Sequence, residues 1–336
     1  MTVAAGLALA ERGLLPDRVT RAGIRRLLTA RLAEAERGPS PDAVAASLGG
    51  EPVAPGPDAA NRQHYEVPAE FFAQVLGPHL KYSGAYWPPE ARTLEAAEDA
   101  MLALTAERAG LADGQRVLEL GCGWGSLALW MARRFPRSRI VAVSNSAPQR
   151  RFIEARAPGN LEVVTADMNT FRAPGVFDRV VSVEMFEHMR NWPELLRRVA
   201  SWLTPDGKLF VHVFCHRRYT YRFGTTGPDN WMGRYFFTGG MMPGADLLSR
   251  FGDDLAVEAQ WMVPGGHYAR TAEAWLANLD ARRDAVWPVL ASTYGPEARR
   301  WFHRWRLFFL ACAECFAFAG GSEWQVAHYR LARRPS

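Results

Sequence analysis

The chain has 336 residues, 48% hydrophobic and 22% charged, a balance that excludes disordered and fibrous classes and can fill a sizeable core. Its 40 Lys+Arg against 35 Asp+Glu leave a formal charge of +5, and the basic residues, only Lys81 and Lys208 being lysines, form no long block. That dispersal argues against a nucleic-acid partner.

The four cysteines, Cys122, Cys215, Cys312 and Cys315, do not amount to a disulfide framework, and no secretory leader pattern opens the chain, so a cytoplasmic location is expected. The most apolar late stretch, Leu307 to Ala319, is interrupted by Glu314 and is shorter than the roughly 20 residues that span a bilayer. No transmembrane segment is expected.

Along the chain, Arg18 to Glu36 has apolar residues at helical spacing (Val19, Ile24, Leu27, Leu28, Leu32) with arginines between them. The proline-rich stretch Gly49 to Ala60 reads as a linker, because proline lacks the amide donor and fixes its own φ. Helices are expected over Tyr65 to Leu76 and Leu94 to Gly110, with the aromatic segment Lys81 to Trp87 between them covering core or ligand. From Arg116 short apolar runs alternate with helical stretches: Val117 to Leu120, Ile140 to Val143, Leu161 to Val164, Val180 to Val183 and Leu209 to Phe214. Such runs are strands buried on both faces, and the alternation argues an α/β, doubly wound, Rossmann-like sheet. Beyond Cys215 the pattern predicts an aromatic loop, Tyr219 to Phe237, and a helix opened near Pro243. A strand over Ala256 to Val263, a long helical stretch from Thr271 to Ala319 and a closing strand at Trp324 to Leu331 follow. This gives an N-terminal helical extension and linker (1–60), a helical cap with the aromatic loop (61–110), a cofactor-binding core (111–216), and substrate-binding helices with the closing strands (217–336).

The segment Val117 to Gly125 runs from a strand through Gly121, Gly123 and Gly125 into a helix. Glycines there allow positive φ and let a ligand approach bare backbone at a strand's carboxyl end, although a tight strand-to-helix turn uses the same residues. The spacing is E-x-G-x-G-x-G, led by Glu119, and departs from the G-x-G-x-x-G of a pyrophosphate site. A carboxylate there suits the cationic sulfonium and amino-acid tail of S-adenosylmethionine and would repel a pyrophosphate. After the second strand, Asn145 and Gln149 can meet ribose hydroxyls; after the third, Asp167 can accept from the adenine amino group while Met168 packs on its face. Asn145 and Asp167 serve equally well as turn or cap residues.

With these segments on view, the sequence resembles class I S-adenosylmethionine-dependent methyltransferases, in the branch of cyclopropane-fatty-acid synthases and plant coclaurine-type N-methyltransferases. Carrying the likeness are Gly13 to Pro16, Gln63 to Pro68, Leu80 to Ser83, the glycine turn, Asn145-Ser146 with Gln149, Glu184 to Met189 and His212 to His216. Arg234 to Gly240, Gly266 to Tyr268 and Gly321 to Trp324 complete it, and these last segments lean toward the N-methyltransferases. The resemblance implies cofactor contacts at Tyr82, Ser83, Gly121, Asn145, Gln149, Asp167 and Met168, with Gly123 in the same turn.

After the fourth strand come Glu184, Glu187 and His188. If that segment is helical they share one face, beside the methyl donor, where a carboxylate can hold an ammonium and a neighbouring group can take its proton. Acids favoured at a helix start are the alternative account. In the N-methyltransferases the sequence resembles, these three positions carry the chemistry, with Glu187 and His188 as base pair and Glu184 as ammonium anchor. In the cyclopropane synthases, residues matching Glu187, His212 and Tyr268 hold a bicarbonate base; Gly84 stands here where many relatives have cysteine. Aromatic residues Trp231, Tyr235, Phe236, Phe237, Trp261, Phe309, Phe316 and Trp324 suit a cation or flat substrate, though most would serve as core. By likeness to the plant enzymes, Phe316 and Trp324 face substrate. Cys312 and Cys315 read as buried small hydrophobes, and His64, His79, His303 and His328 as structural; no metal site is expected.

The expectation is therefore transfer of a methyl group to a small aromatic or cyclic amine. The alternative is methylene or methyl transfer to an unsaturated phospholipid chain, with bicarbonate as base and the arginine-bearing helix Arg18 to Glu36 meeting an anionic membrane rather than presenting a solvated face. A homodimer is compatible with either.

Overall fold

The computed structural model describes residues 2–55 and 67–334. The second half of the linker segment, the motif residues Gln63 to Glu66 and His64 fall outside them.

Three helices open the chain: α1 (Val3–Ala10), α2 (Asp17–Glu36) and α3 (Pro41–Ser47). After α4 (Ala69–Val75) and α5 (Leu94–Ala109) the alternating unit begins. It comprises β1 (Arg116–Leu120), α6 (Ser126–Arg134), β2 (Arg139–Ser144), α7 (Ala147–Glu154), β3 (Leu161–Thr165), β4 (Phe177–Val183), α8 (Trp192–Trp202) and β5 (Leu203–His216). Next come β6 (Tyr221–Arg222), the short α9 (Trp231–Tyr235), β7 (Met241–Met242) and β8 (Leu255–Val263). Three helices, α10 (Gly265–Ala281), α11 (Arg283–Tyr294) and α12 (Ala298–Ala317), lead to the last strand, β9 (Trp324–Arg333).

The main sheet runs β3-β2-β1-β4-β5-β9-β8. Strands β1 to β5 are parallel; β9 runs antiparallel to both β5 and β8. Strand order reverses between β1 and β4, and such a reversal opens a crevice at the carboxyl ends of the strands. Local chemistry places the elements. Thr93 Oγ1 accepts from Ala96 N (3.2 Å) to start α5, and Gly110 ends it in a left-handed conformation. Ser146 Oγ accepts from Gln149 N (3.4 Å) at the start of α7, so Ser146 rather than Asn145 is the cap.

Three expectations are corrected. The helix foreseen near Pro243 is a single 3-10 turn at Leu248–Arg250. The stretch from Thr271 to Ala319 is three helices, because Gly295, at a left-handed φ of 51°, turns the chain before Pro296, and a first break falls at Arg282. The described half of the linker segment is docked: Asn169 accepts from Ala54 N (3.0 Å) and donates to Ala54 O (2.8 Å), and Arg190 N donates to Val53 O (2.8 Å). On α2, three of the arginines meet protein partners. Arg21 binds Glu273 (2.5 Å) and Glu314 (3.0 Å), Arg25 binds Glu314 (3.0 Å), and Arg31 binds Glu34 (2.7 Å) and Asn230 (3.0 Å), so these three guanidiniums already have protein partners.

Candidate active site

Strand β4 ends at Val183, and Glu184 takes a left-handed φ of 48°. For a residue with a side chain this costs of order 1–3 kcal/mol and is tolerated where the surroundings over-determine it. The chain leaves the sheet into one 3-10 turn, Phe186–His188, not the α-helix that would stack Glu184, Glu187 and His188 on one face.

Glu184 is held from three sides. Its Oε1 accepts from Gly84 N (2.9 Å) and lies 3.2 Å from His212 Nε2; its Oε2 accepts from Tyr268 Oη (2.8 Å). The Tyr268 ring stacks on Phe316, with centroids 4.1 Å apart. A Cβ at residue 84 would sit 2.9 Å from the Tyr268 ring, so glycine there permits both the backbone donor and the stack. Lys81 is buried nearby; its ammonium donates to Gly84 O (2.8 Å) and Ser83 Oγ. Burial pushes Lys81 down to about 8.

Burial raises the Glu184 carboxyl, while Lys81 and the hydrogen bonds from Gly84 and Tyr268 pull it back. Glu187 is fully buried; its Oε1 accepts from Phe214 N (2.7 Å) and its Oε2 has no hydrogen-bond partner among the described residues. Burial and the Glu184 charge drive Glu187 well above the carboxylate range. Glu184, whose two oxygens accept from Gly84 N and Tyr268 Oη, is thus the carboxyl of the pair placed to carry negative charge, and Glu187, with Oε2 unpartnered among the described residues, is the one placed to stay neutral.

A cavity of about 330 Å³ opens onto Glu184 and His188. Its wall carries the rings of Tyr82, Phe214, Tyr221, Phe223, Trp231, Phe237, Tyr268, Trp275, Phe308 and Phe316 among aliphatic side chains and the polar Arg31, Glu34, Asp229 and Asn230, and its roof is α1 and α2, through Leu7, Ile24, Leu27 and Leu28. Glu187 does not line it. Nor does Trp324, which is fully buried behind the wall and donates from Nε1 to the hydroxyl of Tyr221 (2.8 Å). Phe236 and Phe309 are core, and Trp261 lies across the sheet beside Arg108. Cys312 and Cys315, read as buried small hydrophobes, are part-buried residues that border the cavity.

On the other side of His188 are two adjoining hollows of about 80 and 90 Å³ that share Gly121, Gly123 and Gln149. The first is lined by Asn145, Asp167, Met168 and His188, with the docked Ala54 and Pro55; the second by Lys81, Tyr82, Ser83, Glu119, Trp124, Ser126 and Glu184. Gly121, at φ 80°, has Met185 Cγ 2.7 Å from where a Cβ would stand, so bare backbone forms this wall. Asp167 combines both sequence readings: one carboxylate oxygen accepts from Asn169 N (2.8 Å) in a turn, and the residue lines the hollow. Four buried polar atoms of these lining residues lack partners among the described residues: Glu119 Oε2, Trp124 Nε1, Gln149 Nε2 and Ser126 Oγ. Burial alone pushes Glu119 up to about 8. Orphaned groups of this kind are costly without a ligand, and an amide donor, a hydroxyl and a carboxyl awaiting a cation fit an amino-acid and ribose-bearing sulfonium.

Sequence reasoning gave no role to the Lys81 or Arg108 side chains and read His328 as structural. His328 Nε2 lies 2.9 Å from His212 Nδ1, and its Nδ1 lies 2.8 Å from Arg108 Nη1. Nothing local signals this pairing, since His212 and His328 meet only when β9 pairs with β5.

The family model for mycolic acid cyclopropane synthetase matches residues 57–326. The chain is 37% identical to (S)-coclaurine N-methyltransferase of Thalictrum flavum subsp. glaucum, over 96% of this chain and 94% of that one. It is 32% identical to the cyclopropane-fatty-acyl-phospholipid synthase of Escherichia coli (strain K12), over 80% and 67%. A crystal structure of coclaurine N-methyltransferase bound to N-methylheliamine and SAH superposes with a TM-score of 0.94 at 34% identity, covering 98% of this chain and 99% of that one. A cyclopropane synthase from Mycobacterium tuberculosis shares the fold, with a TM-score of 0.70 at 22% identity over 83% and 99%. The chain thus belongs to the mycolic acid cyclopropane synthetase family and is an S-adenosylmethionine-dependent methyltransferase.

Proposed function

We propose that this enzyme methylates the nitrogen of a small aromatic or cyclic amine. The observation that supports the reading is the wall between the two sides of the site: an anion, Glu184, and an imidazole, His188, face a ring-lined cavity, and His188 also lines the donor hollow. Tyr82, Ser83, Glu119, Gly121, Gly123, Asn145, Gln149, Asp167 and Met168 hold the donor, which when bound supplies an electrophilic methyl carbon. Glu184 receives the substrate as an ammonium, and the aromatic rings of Phe316 and Tyr268 pack against it, where a π-face attracts the positive charge. His188 takes the proton that frees the nitrogen lone pair, a contribution of about 10²–10⁴-fold. Glu187 supports the turn through Phe214 N instead of sharing the base role foreseen for it. Holding donor and amine in line provides further acceleration, as much as about 7–11 kcal/mol in ideal cases.

The test is a labelled-methyl screen of amines and of unsaturated phospholipid vesicles side by side, with and without bicarbonate. Label in amines, lost in the Glu184→Gln His188→Ala variant, is the expected result. Label only in lipid would overturn the reading in favour of acyl-chain chemistry.

A further inference from the structure

Behind Glu184 a line of side chains leads away from the cavity. From Glu184 Oε1 it is 3.2 Å to His212 Nε2; from His212 Nδ1, 2.9 Å to His328 Nε2; from His328 Nδ1, 2.8 Å to Arg108 Nη1. The β5–β9 register sets His212 directly opposite His328, and the last turn of α5 brings Arg108. Both imidazoles are fully buried, 4.6 Å apart between ring centres.

The direction of this line follows from its outer end. A guanidinium donates and never accepts, so His328 Nδ1 is an acceptor and its proton is on Nε2. That proton points at His212 Nδ1, which must accept, so His212 also carries its proton on Nε2 and donates it to Glu184. We propose that Arg108 and His328 are positioning residues, which lock His212 as a donor toward Glu184 and so keep Glu184 an anion able to receive a cationic amine. His212 is thereby barred from acting as the base. The inference rests on Glu184 being the ammonium anchor.

The electrostatics agree. Burial, Lys81 and Arg108 push His212 well below its ordinary range, and burial, His212, Arg108 and Lys81 do the same to His328, so both stay neutral donors and acceptors. The charged and titratable groups facing the line are Lys81, Glu184, Glu187 and Tyr268 at its inner end, and Arg108 with Glu107 and Tyr86 at its outer end. An anion in this buried place is balanced by Lys81 on one side and, through two polarised imidazoles, by Arg108 on the other.

The experiment uses the full chain with ¹⁵N-labelled histidine and NMR detection of ring tautomers, alongside His328→Gln, His328→Phe and Arg108→Met. In the unsubstituted enzyme the His212 and His328 rings, assigned by the signals that the 328 and 108 substitutions remove or shift, should both carry the proton on Nε2 alone, without titrating between about pH 6 and 9. Glutamine at 328 can accept from Arg108 and donate to His212, so it should keep the amine KM within about threefold. Phenylalanine at 328, or methionine at 108, should raise that KM about tenfold or more and free the His212 tautomer, with donor affinity unchanged by calorimetry. A His212 ring protonated on Nδ1 in the unsubstituted enzyme would overturn the proposal. So would equal kinetics for the glutamine and phenylalanine variants. Should the phenylalanine variant not fold, Arg108→Met and the tautomer spectrum decide. If no amine is methylated, the reading of function fails while the spectrum still judges the relay.

Discussion

The two hollows on the donor side are small, with a carboxyl, an amide and a hydroxyl lacking partners, whereas the acceptor cavity is about four times larger than the first of them and its wall is mainly apolar, with ten aromatic rings in it. The donor side is made of consecutive strand ends, β1 to β4, and reads a ligand through hydrogen bonds that only that ligand completes. The acceptor side is assembled from α1, α2, the segment between β5 and β8, α10 and α12, and reads shape and charge. One side is therefore suited to a fixed cofactor. The other can be changed by repacking away from Tyr82, Glu184 and His188, which line both sides.

That contrast can be broken at the wall between them. Glu184→Gln keeps the shape but removes the buried charge, and should lower kcat/KM for an amine about 10²-fold or more, measured by methyl transfer. Gly121→Ala acts on the donor side alone: left-handed strain of about 1–3 kcal/mol and a collision with Met185 should weaken binding of the demethylated donor at least about tenfold in calorimetry. The same side should respond to pH. Because burial lifts Glu119 to about 8, the empty pocket holds its carboxyl protonated at neutrality and a cationic donor must displace that proton. Donor affinity should then rise with pH, by at most about tenfold per unit, and flatten above about 8. Calorimetry in buffers of different ionisation enthalpy should register the released proton, and Glu119→Gln should remove the dependence.

Smaller effects should sharpen the acceptor side. Phe316→Ala removes a ring stacked on Tyr268 and should raise the amine KM by up to about 30-fold, leaving donor affinity as it was. Glu314→Gln loosens α2 by removing the partner of Arg21 and Arg25. Glu314 is buried, so losing these charge-assisted hydrogen bonds should cost about 1–3 kcal/mol, with Arg21 keeping Glu273, and the melting temperature should fall by about 2–4 °C.

The donor side was the more legible because its information is local. A strand, a glycine turn and a polar residue after each strand lie within a few residues of one another, and β1 to β4 appear within three residues of their expected limits at either end. Glu184 and His188 were legible by the same rule. Their arrangement was not: periodicity suggested a helical face, whereas a left-handed φ at Glu184 sends Glu187 beneath β5 and leaves His188 at the wall. The acceptor side depends on which distant segments meet. Trp324 and Phe316 are eight positions apart and look alike as aromatic candidates, yet one lines the cavity and the other stands behind it. Gly84 was visible only as a departure from relatives. Its physical reason, the approach of Tyr268, needs residues 184 positions apart to be in contact.

The last strand, β9, fits between β5 and β8, so the sheet is finished out of chain order. A ribosome making this polypeptide releases every strand of the donor side long before residues 324–333 emerge. Until they do, β8 has no neighbour, His212 faces no partner across the gap, and the anion at Glu184 stands without its brace. Nascent chains should thus acquire a place for the methyl donor well before they become competent to turn it over.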